Sequence, residues 1–337
     1  MMKTLSPKHR GFSLVELMIA ITISIVLITG LIQVYISAKR SYLIQDSIAR
    51  MQENGRYALN LINKDLRLAG YMGGNADPSI ISGIADNPDG LCGSLNDNRW
   101  GRMVERGVFG LNDNLTGYAG CIDALGSPAA DGDYLSGDVL TVRYSRQTNL
   151  TATDMTNDRG LLLKSSPFNG EIRLVASRQE IVDNNNNFSN LTDTPITYSW
   201  LEAYSYYSGA QTADCDGIQV PVPALYRLAL DVNGTPTREE VIRGVENLQV
   251  QYGVNTNNDG VIDQYLDANN VTDWSQVRAV RYWLLIRDEC PGAGGYLNNN
   301  TYVMGDSNLD LSTPGNGDRF RRQLYTNTVM LRNNEVI

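Results

Sequence analysis

Residues 12–36 read FSLVELMIAITISIVLITGLIQVYI, a run that is apolar or weakly polar throughout and carries one charge, Glu16. At 1.5 Å per residue, roughly 20 helical residues cross a bilayer. The run is therefore long enough to span, and everything after it must be compatible with one helical anchor near the N-terminus. Lys3, Lys8 and Arg10 precede it, which predicts a cytoplasmic N-terminus and a remainder sent outward. A conventional cleaved signal peptide is the alternative, but its apolar region is shorter and carries no carboxylate.

Glu16 needs an explanation, because a carboxylate within hydrocarbon costs a few kcal/mol or more and marks function. Cleavage after Gly11 would place a new α-amino cation on Phe12 at the same membrane depth. The Glu16 carboxylate could then pair with the Phe12 amine of a neighbouring subunit, turning an intramembrane penalty into an assembly force. The other reading leaves Glu16 near the headgroups.

Past the anchor, Ile44, Ile48, Met51, Gly55, Ala58, Ile62, Leu66 and Ala69 recur at intervals of three or four, opposite Arg50, Glu53, Lys64 and Arg67. That spacing predicts an amphipathic continuation of the same helix. A nearly continuous helix from Phe12 to Leu68 would run on the order of 85 Å. Gly70, Gly73 and Gly74 are placed to end it. Gly30 and Gly55 are either bend points or tolerated glycines.

The chain has 337 residues, 42% of them apolar, and a formal charge of −9. Such a balance disfavours nucleic acid as a partner. Its single histidine, His9, precedes the anchor. Ser-His-Asp catalysis, Cys-His catalysis and imidazole metal sites are thereby excluded from the body after it. Cys92, Cys121, Cys215 and Cys290 lie far apart with no CxxC, which reads as two disulfides in an oxidising compartment. Three connectivities are open; Cys92–Cys121 with Cys215–Cys290 closes the shorter loops.

After Asn75 the texture changes to Gly, Asn, Asp and Ser punctuation around short β-rich runs, at residues 139–144, 171–176, 196–207, 225–231, 245–253, 277–287 and 320–331. Helix followed by strands predicts an α+β fold, with the long helix packed on an antiparallel sheet and with loop insertions at 75–135 and 183–195. Tyr198, Trp200, Tyr204, Tyr206 and Tyr207 read as strand core and cross-strand pairs ahead of a binding face. Arg319, Arg321 and Arg322 read as a solvated strand face. Asp131, Asp133 and Asp138 read as turn chemistry. Asn255, Asn257, Asp259 and Asp263, with Gly260 between, space their oxygens like a calcium loop. Leu266 stands where such loops place a glutamate, with Asp267 next, and a long polar turn is the competing reading.

Arg10-Gly11-Phe12-Ser13-Leu14-Val15-Glu16-Leu17 resembles the leader junction of type IV prepilins and type II secretion pseudopilins. The resemblance implies a prepilin peptidase that cuts after Gly11 and methylates the Phe12 amine. Further stretches resemble the PilW-type minor pilins: Glu53-Asn54-Gly55-Arg56-Tyr57-Ala58 running on to Asp65-Leu66-Arg67-Leu68-Ala69-Gly70-Tyr71, then residues 244–253, Val277-Arg278-Ala279-Val280-Arg281, and residues 321–329. Many relatives place a cysteine just after Gly-Tyr-x-Gly, where this chain has Gly74.

The expected organisation is a leader at 1–11, a transmembrane half-helix at 12–36, an amphipathic half-helix at 37–70 and a β-rich periplasmic or extracellular head at 75–337. The resemblance implies a non-enzymatic minor pilin of the bacterial inner membrane and then of the pilus. It would join other minor pilins in the complex that initiates assembly, near the fibre tip. Its partners would be those pilins, the major pilin, the prepilin peptidase, the inner-membrane assembly platform and a tip adhesin. Cell adhesion and twitching motility are the associated processes, with no required cofactor and calcium as the candidate ligand. A minor pseudopilin of a type II secretion system is the first alternative, and a membrane-tethered hydrolase using only carboxylates the second.

Overall fold

The computed structural model describes residues 11–85, 92–126, 129–146, 160–175, 191, 193–215, 217–257, 259–292 and 296–333. One helix, α1 (Leu14–Leu68), is followed by strands. In chain order these are β1 (Ile81–Ser82), β2 (Val108–Leu111), β3 (Tyr134–Ser145), β4 (Gly160–Ser166), β5 (Asn169–Val175), β6 (Thr197–Cys215) and β7 (Ile218–Leu230). Then come β8 (Pro236–Arg243), β9 (Val245–Val254), β10 (Gln264–Asp267), β11 (Val277–Arg287), β12 (Thr301–Met304), β13 (Ser307–Asp310) and β14 (Arg322–Met330). The fold is α+β, and the chain divides into two compact units, Met1–Ala49 and Arg50–Ile337.

In the first unit the helix is apolar and solvent-facing, as residues 12–36 expose their large side chains throughout. Its hydroxyls do not remain as unmet polar groups. Thr22, Ser24 and Thr29 each donate to a backbone carbonyl one turn back, at 2.8, 2.7 and 2.8 Å. This lets them enter hydrocarbon at low cost.

In the second unit α1 buries Met51, Gly55, Ala58, Ile62 and Leu66, the stripe read from the spacing, while Glu53, Lys64 and Arg67 face solvent. Gly70, at φ 76, ends the helix in a left-handed conformation that only glycine adopts freely. The apolar stripe meets Leu140, Val142, Tyr206 and Leu225 from one sheet and Leu248, Val250, Tyr282 and Leu284 from another. Fully burying each Leu, Ile or Val contributes about 1.5–3 kcal/mol.

The larger sheet has eight strands, ordered β1-β5-β4-β6-β3-β2, with β7 on β6 and β8 on β7. All of its pairs are antiparallel except β1 with β5. β6 is its spine, pairing with β4 at one end and with β3 and β7 further along. Alternation along its strands sends Leu140, Val142 and Tyr206 toward the helix and Val139, Ala203 and Tyr207 to the opposite face. The smaller sheet is ordered β10-β9-β11-β14 and is antiparallel, and β12 and β13 form a separate hairpin.

Several expectations are corrected. Residues 75–135 include long loops, yet they bring their own core to the far face of the large sheet through Trp100, Tyr118 and Ile122. That segment is stapled by Cys92–Cys121, and Cys215–Cys290 ties the end of β6 to the segment after β11, so the pairing is the one that closes the shorter loops. Arg319 is exposed, as the solvated-face reading has it, but Arg321 and Arg322 are not. Arg322 is ion-paired with Glu246 and Asp318, and Arg321 lies 3.6 Å from Asp288 and stacks over Tyr296. Gly55 is not an idle glycine, because a Cβ there would collide with the ring of Tyr325. Of the insertion at 183–195, residues 183–190 and 192 lie outside the described residues.

Candidate functional site

The start of α1 carries the residues singled out for processing and assembly. Ser13 is the cap: its Oγ accepts from the Val15 N–H at 3.2 Å, and its carbonyl accepts from the Leu17 N–H at 3.1 Å. Glu16 reaches back so that Oε2 accepts from the Ser13 N–H at 3.0 Å. Ser-Leu-Val-Glu is thus a capping box, which satisfies two helix-start donors reciprocally. The carboxylate is exposed and the described residues place no cation against it. Phe12 is 90% exposed, and nothing lies within 4 Å of a Cβ built on Gly11.

Within the second unit the helix is fixed by polar contacts that the periodicity did not reveal. Asp65, 1% exposed, accepts from Tyr144 Oη at 2.8 Å and from Tyr206 Oη. Burial raises its pKa despite those hydrogen bonds and the nearby charges of Arg227 and Lys64. Tyr144 and Tyr206 are raised in turn, by burial first and then by Asp65. Two residues earlier, Asn63 Oδ1 accepts from both Tyr282 Oη and Asn327 Nδ2 at 2.8 Å. Asn54 Nδ2 donates to the Arg243 carbonyl at 3.0 Å. The sequence signal for this set was a lone acid, Asp65, on the apolar stripe.

The aromatic run sits in strand β6 as core, with Trp200, Tyr206 and Tyr207 buried. Asp133 makes turn contacts with the Gly126 and Ala130 N–H groups, whereas Asp138 belongs to β3 and reaches the Val250 N–H of β9. In the calcium-like loop, Asn257, Asp259 and Asp263 come together. Asn257 Nδ2 donates to Asp259 Oδ2 at 3.1 Å and to Asp263 Oδ1 at 3.5 Å. Asp263 Oδ2 also accepts from the Thr256 N–H and hydroxyl, both at 2.7 Å, which lowers its pKa. Asn255 is buried instead of exposed in the loop, and Asp267 accepts from Gln251 at 3.0 Å. Among the described residues no three His, Cys, Asp or Glu side chains are grouped to hold a metal ion.

Residues 205–333 match the family described as Type IV Pilus-assembly protein W, and residues 6–32 match the prokaryotic N-terminal methylation motif. These two matches are those of a PilW-type pilin with a prepilin leader. Neither a curated protein nor a solved structure matches it. The family match begins within β6 and runs through β14, so it takes in the whole four-stranded sheet and leaves out β3. The methylation match covers the capping box and most of the solvent-facing apolar helix. Among the described residues, one helix is long and apolar enough to cross a membrane. The family is a structural component of the pilus, and the two matches support a type IV pilus-related minor pilin.

Proposed function

We propose that this minor pilin acts by assembly: a prepilin peptidase removes residues 1–11 and methylates Phe12, the apolar half of α1 holds the chain in the inner membrane with its head in the periplasm, and the same half-helix then enters the fibre core. The observation that supports this most is the bare apolar helix whose one charge, Glu16, stands four residues past the Gly11-Phe12 junction. In the reading advanced here the head meets other minor pilins in the complex that initiates assembly, at the fibre tip, beside the major pilin, the assembly platform and a tip adhesin. It catalyses nothing and requires no cofactor. Calcium in the turn of Asn257, Asp259 and Asp263 is a separate proposal, and titration calorimetry with and without Asp259→Ala tests it: the substitution is expected to abolish that binding heat.

Glu16 is both a cap and the proposed partner of a neighbour's amine, and one substitution separates the two roles. Glu16→Gln keeps a side-chain oxygen for the Ser13 N–H and so keeps the capping box, but it removes the charge. Inner-membrane insertion and leader removal are expected to stay normal while the chain disappears from sheared fibres. Normal incorporation of Glu16→Gln would refute the pairing role. Gene deletion, scored for surface pili against type II secretion, separates pilin from pseudopilin: pili are expected to be lost and secretion kept.

A further inference from the structure

A strand at the end of a sheet carries a row of free N–H and C=O groups that can pair with another chain, and shortness, proline or charge guards against this. β1 has two residues, β2 and β10 have four each, and β8 opens with Pro236 and carries Arg238, Glu239, Glu240 and Arg243. β14 has none of these guards. It runs nine residues, RQLYTNTVM, and β11 is its one partner strand. Its single charge, Arg322, is folded back onto Glu246 and Asp318 with the side chain 2% exposed.

The Leu331 N–H donates to the Arg278 carbonyl at 2.8 Å, and the Asp288 N–H to the Arg321 carbonyl at 3.0 Å, so the odd-numbered residues carry the ladder to β11. Arg322, Leu324, Thr326, Thr328 and Met330 therefore turn their backbone groups to the free edge. The Thr328 N–H is met by its neighbour, Asn327 Oδ1, at 2.9 Å, and the side chains of Thr326, Thr328 and Met330 are exposed. The flank of α1 beside this edge is cationic. Helix and strand run in the same direction, since Gly55 lies against the Tyr325 ring, Asn63 bonds Asn327, and the Arg67 carbonyl accepts from Asn333 at 3.5 Å. Burial raises the Tyr325 pKa and the charge of Arg56 opposes it, which sets Arg56 near the same strand. Arg56, Arg67 and Arg332 are exposed, and among the described residues none of the three forms an ion pair.

We propose that the free edge of β14 accepts an extended strand from another pilin subunit, which adds to the smaller sheet beside α1. This rests on the pilin reading and names the surface through which the head meets its neighbour. Main-chain hydrogen bonds supply the affinity, and side chains at alternate positions supply the selectivity. Arg56 and Arg67 stand three helical turns apart, about 16 Å, which is about five residues of strand. One face of a strand repeats every second residue, so the incoming strand carries acidic side chains four or six residues apart on the face turned to α1. A second copy of this chain does not fit, because β14 against β14 sets two cationic flanks together, and like charges across an interface oppose association.

The test uses the full chain in its native host with p-benzoylphenylalanine in place of Thr328, followed by photocrosslinking and mass spectrometry of the adduct. The expected partner has an N-terminal peptide that begins at a methylated residue after a leader junction, and it is attached through a segment with acidic residues at that spacing. Thr326→Pro removes an N–H that β11 does not use. It is expected to lower the adduct about tenfold while the thermal midpoint of the purified chain in detergent moves by less than about 2 °C. Arg56→Glu with Arg67→Glu, on exposed positions of α1, leaves the strand untouched and is expected to lower the adduct by a similar factor. No adduct, an adduct with a second copy alone or with a protein that lacks a processed leader, or a yield unchanged in both substituted chains would overturn the assignment. Recovery of the chain from sheared fibres with Phe12 as its first residue then shows that the edge assignment has failed and the pilin reading has not.

Discussion

Asp65 is a carboxylate on an apolar helix stripe, held between two tyrosine hydroxyls, and its folded-state pKa lies above the ordinary value because burial outweighs its hydrogen bonds. The folded chain therefore binds a proton at Asp65 more readily than the unfolded chain does. Stability from this group is fully present below the unfolded value of about 3.9 and is lost as pH rises through the folded value. Lys64 and Arg227 pull the other way, and Tyr144 and Tyr206 stay protonated throughout because both are shifted upward. Thermal midpoints measured from about pH 4 upward are expected to fall less steeply in Asp65→Asn than in the unsubstituted chain; equal slopes would contradict the assignment. Asp65→Ala leaves both hydroxyls without their acceptor and is expected to cost about 2–4 kcal/mol in urea unfolding.

At the scale of elements, the contact of α1 with β14 depends on Gly55, whose missing side chain makes room for the Tyr325 ring. Gly55→Val is expected to destabilise the head by about 1–3 kcal/mol, and adding Tyr325→Ala should recover part of that loss because the obstructing ring is gone. An additive double substitution, with no recovery, would show that the two residues are not coupled. The disulfide Cys215–Cys290 closes a separation of 75 residues against 29 for Cys92–Cys121. Replacing both cysteines of the longer loop with serine is therefore expected to cost more, about 2–5 kcal/mol by urea unfolding. The helix was legible because its period of three to four and its terminal glycines are local signals. Long strands such as β9 and β11 were legible because their β-rich runs are uninterrupted. Short strands escaped: β2 has four residues, β8 reads as a charged surface segment, and β10 is half-exposed. The leader junction was legible as a contiguous motif. The hydrogen bonds of Asp65 with Tyr144 and Tyr206 were not, since three separate elements, α1, β3 and β6, supply them and only tertiary pairing brings them together.

At the scale of the whole molecule, one unit is an apolar helix whose large side chains are exposed, and the other is a β-rich head stapled by two disulfides. Neither the exposed apolar surface nor an intramembrane carboxylate is a stable end state for a lone chain. Both are relieved if the helix first enters a bilayer and then joins other helices with Glu16 against a freed amine. Mass spectrometry of the N-terminal peptide, taken from the chain recovered in sheared pili, tests this most directly. A chain that begins at methylated Phe12 and is present in the fibre fraction is the expected result. A fibre-incorporated chain that still carries its first eleven residues would contradict the account.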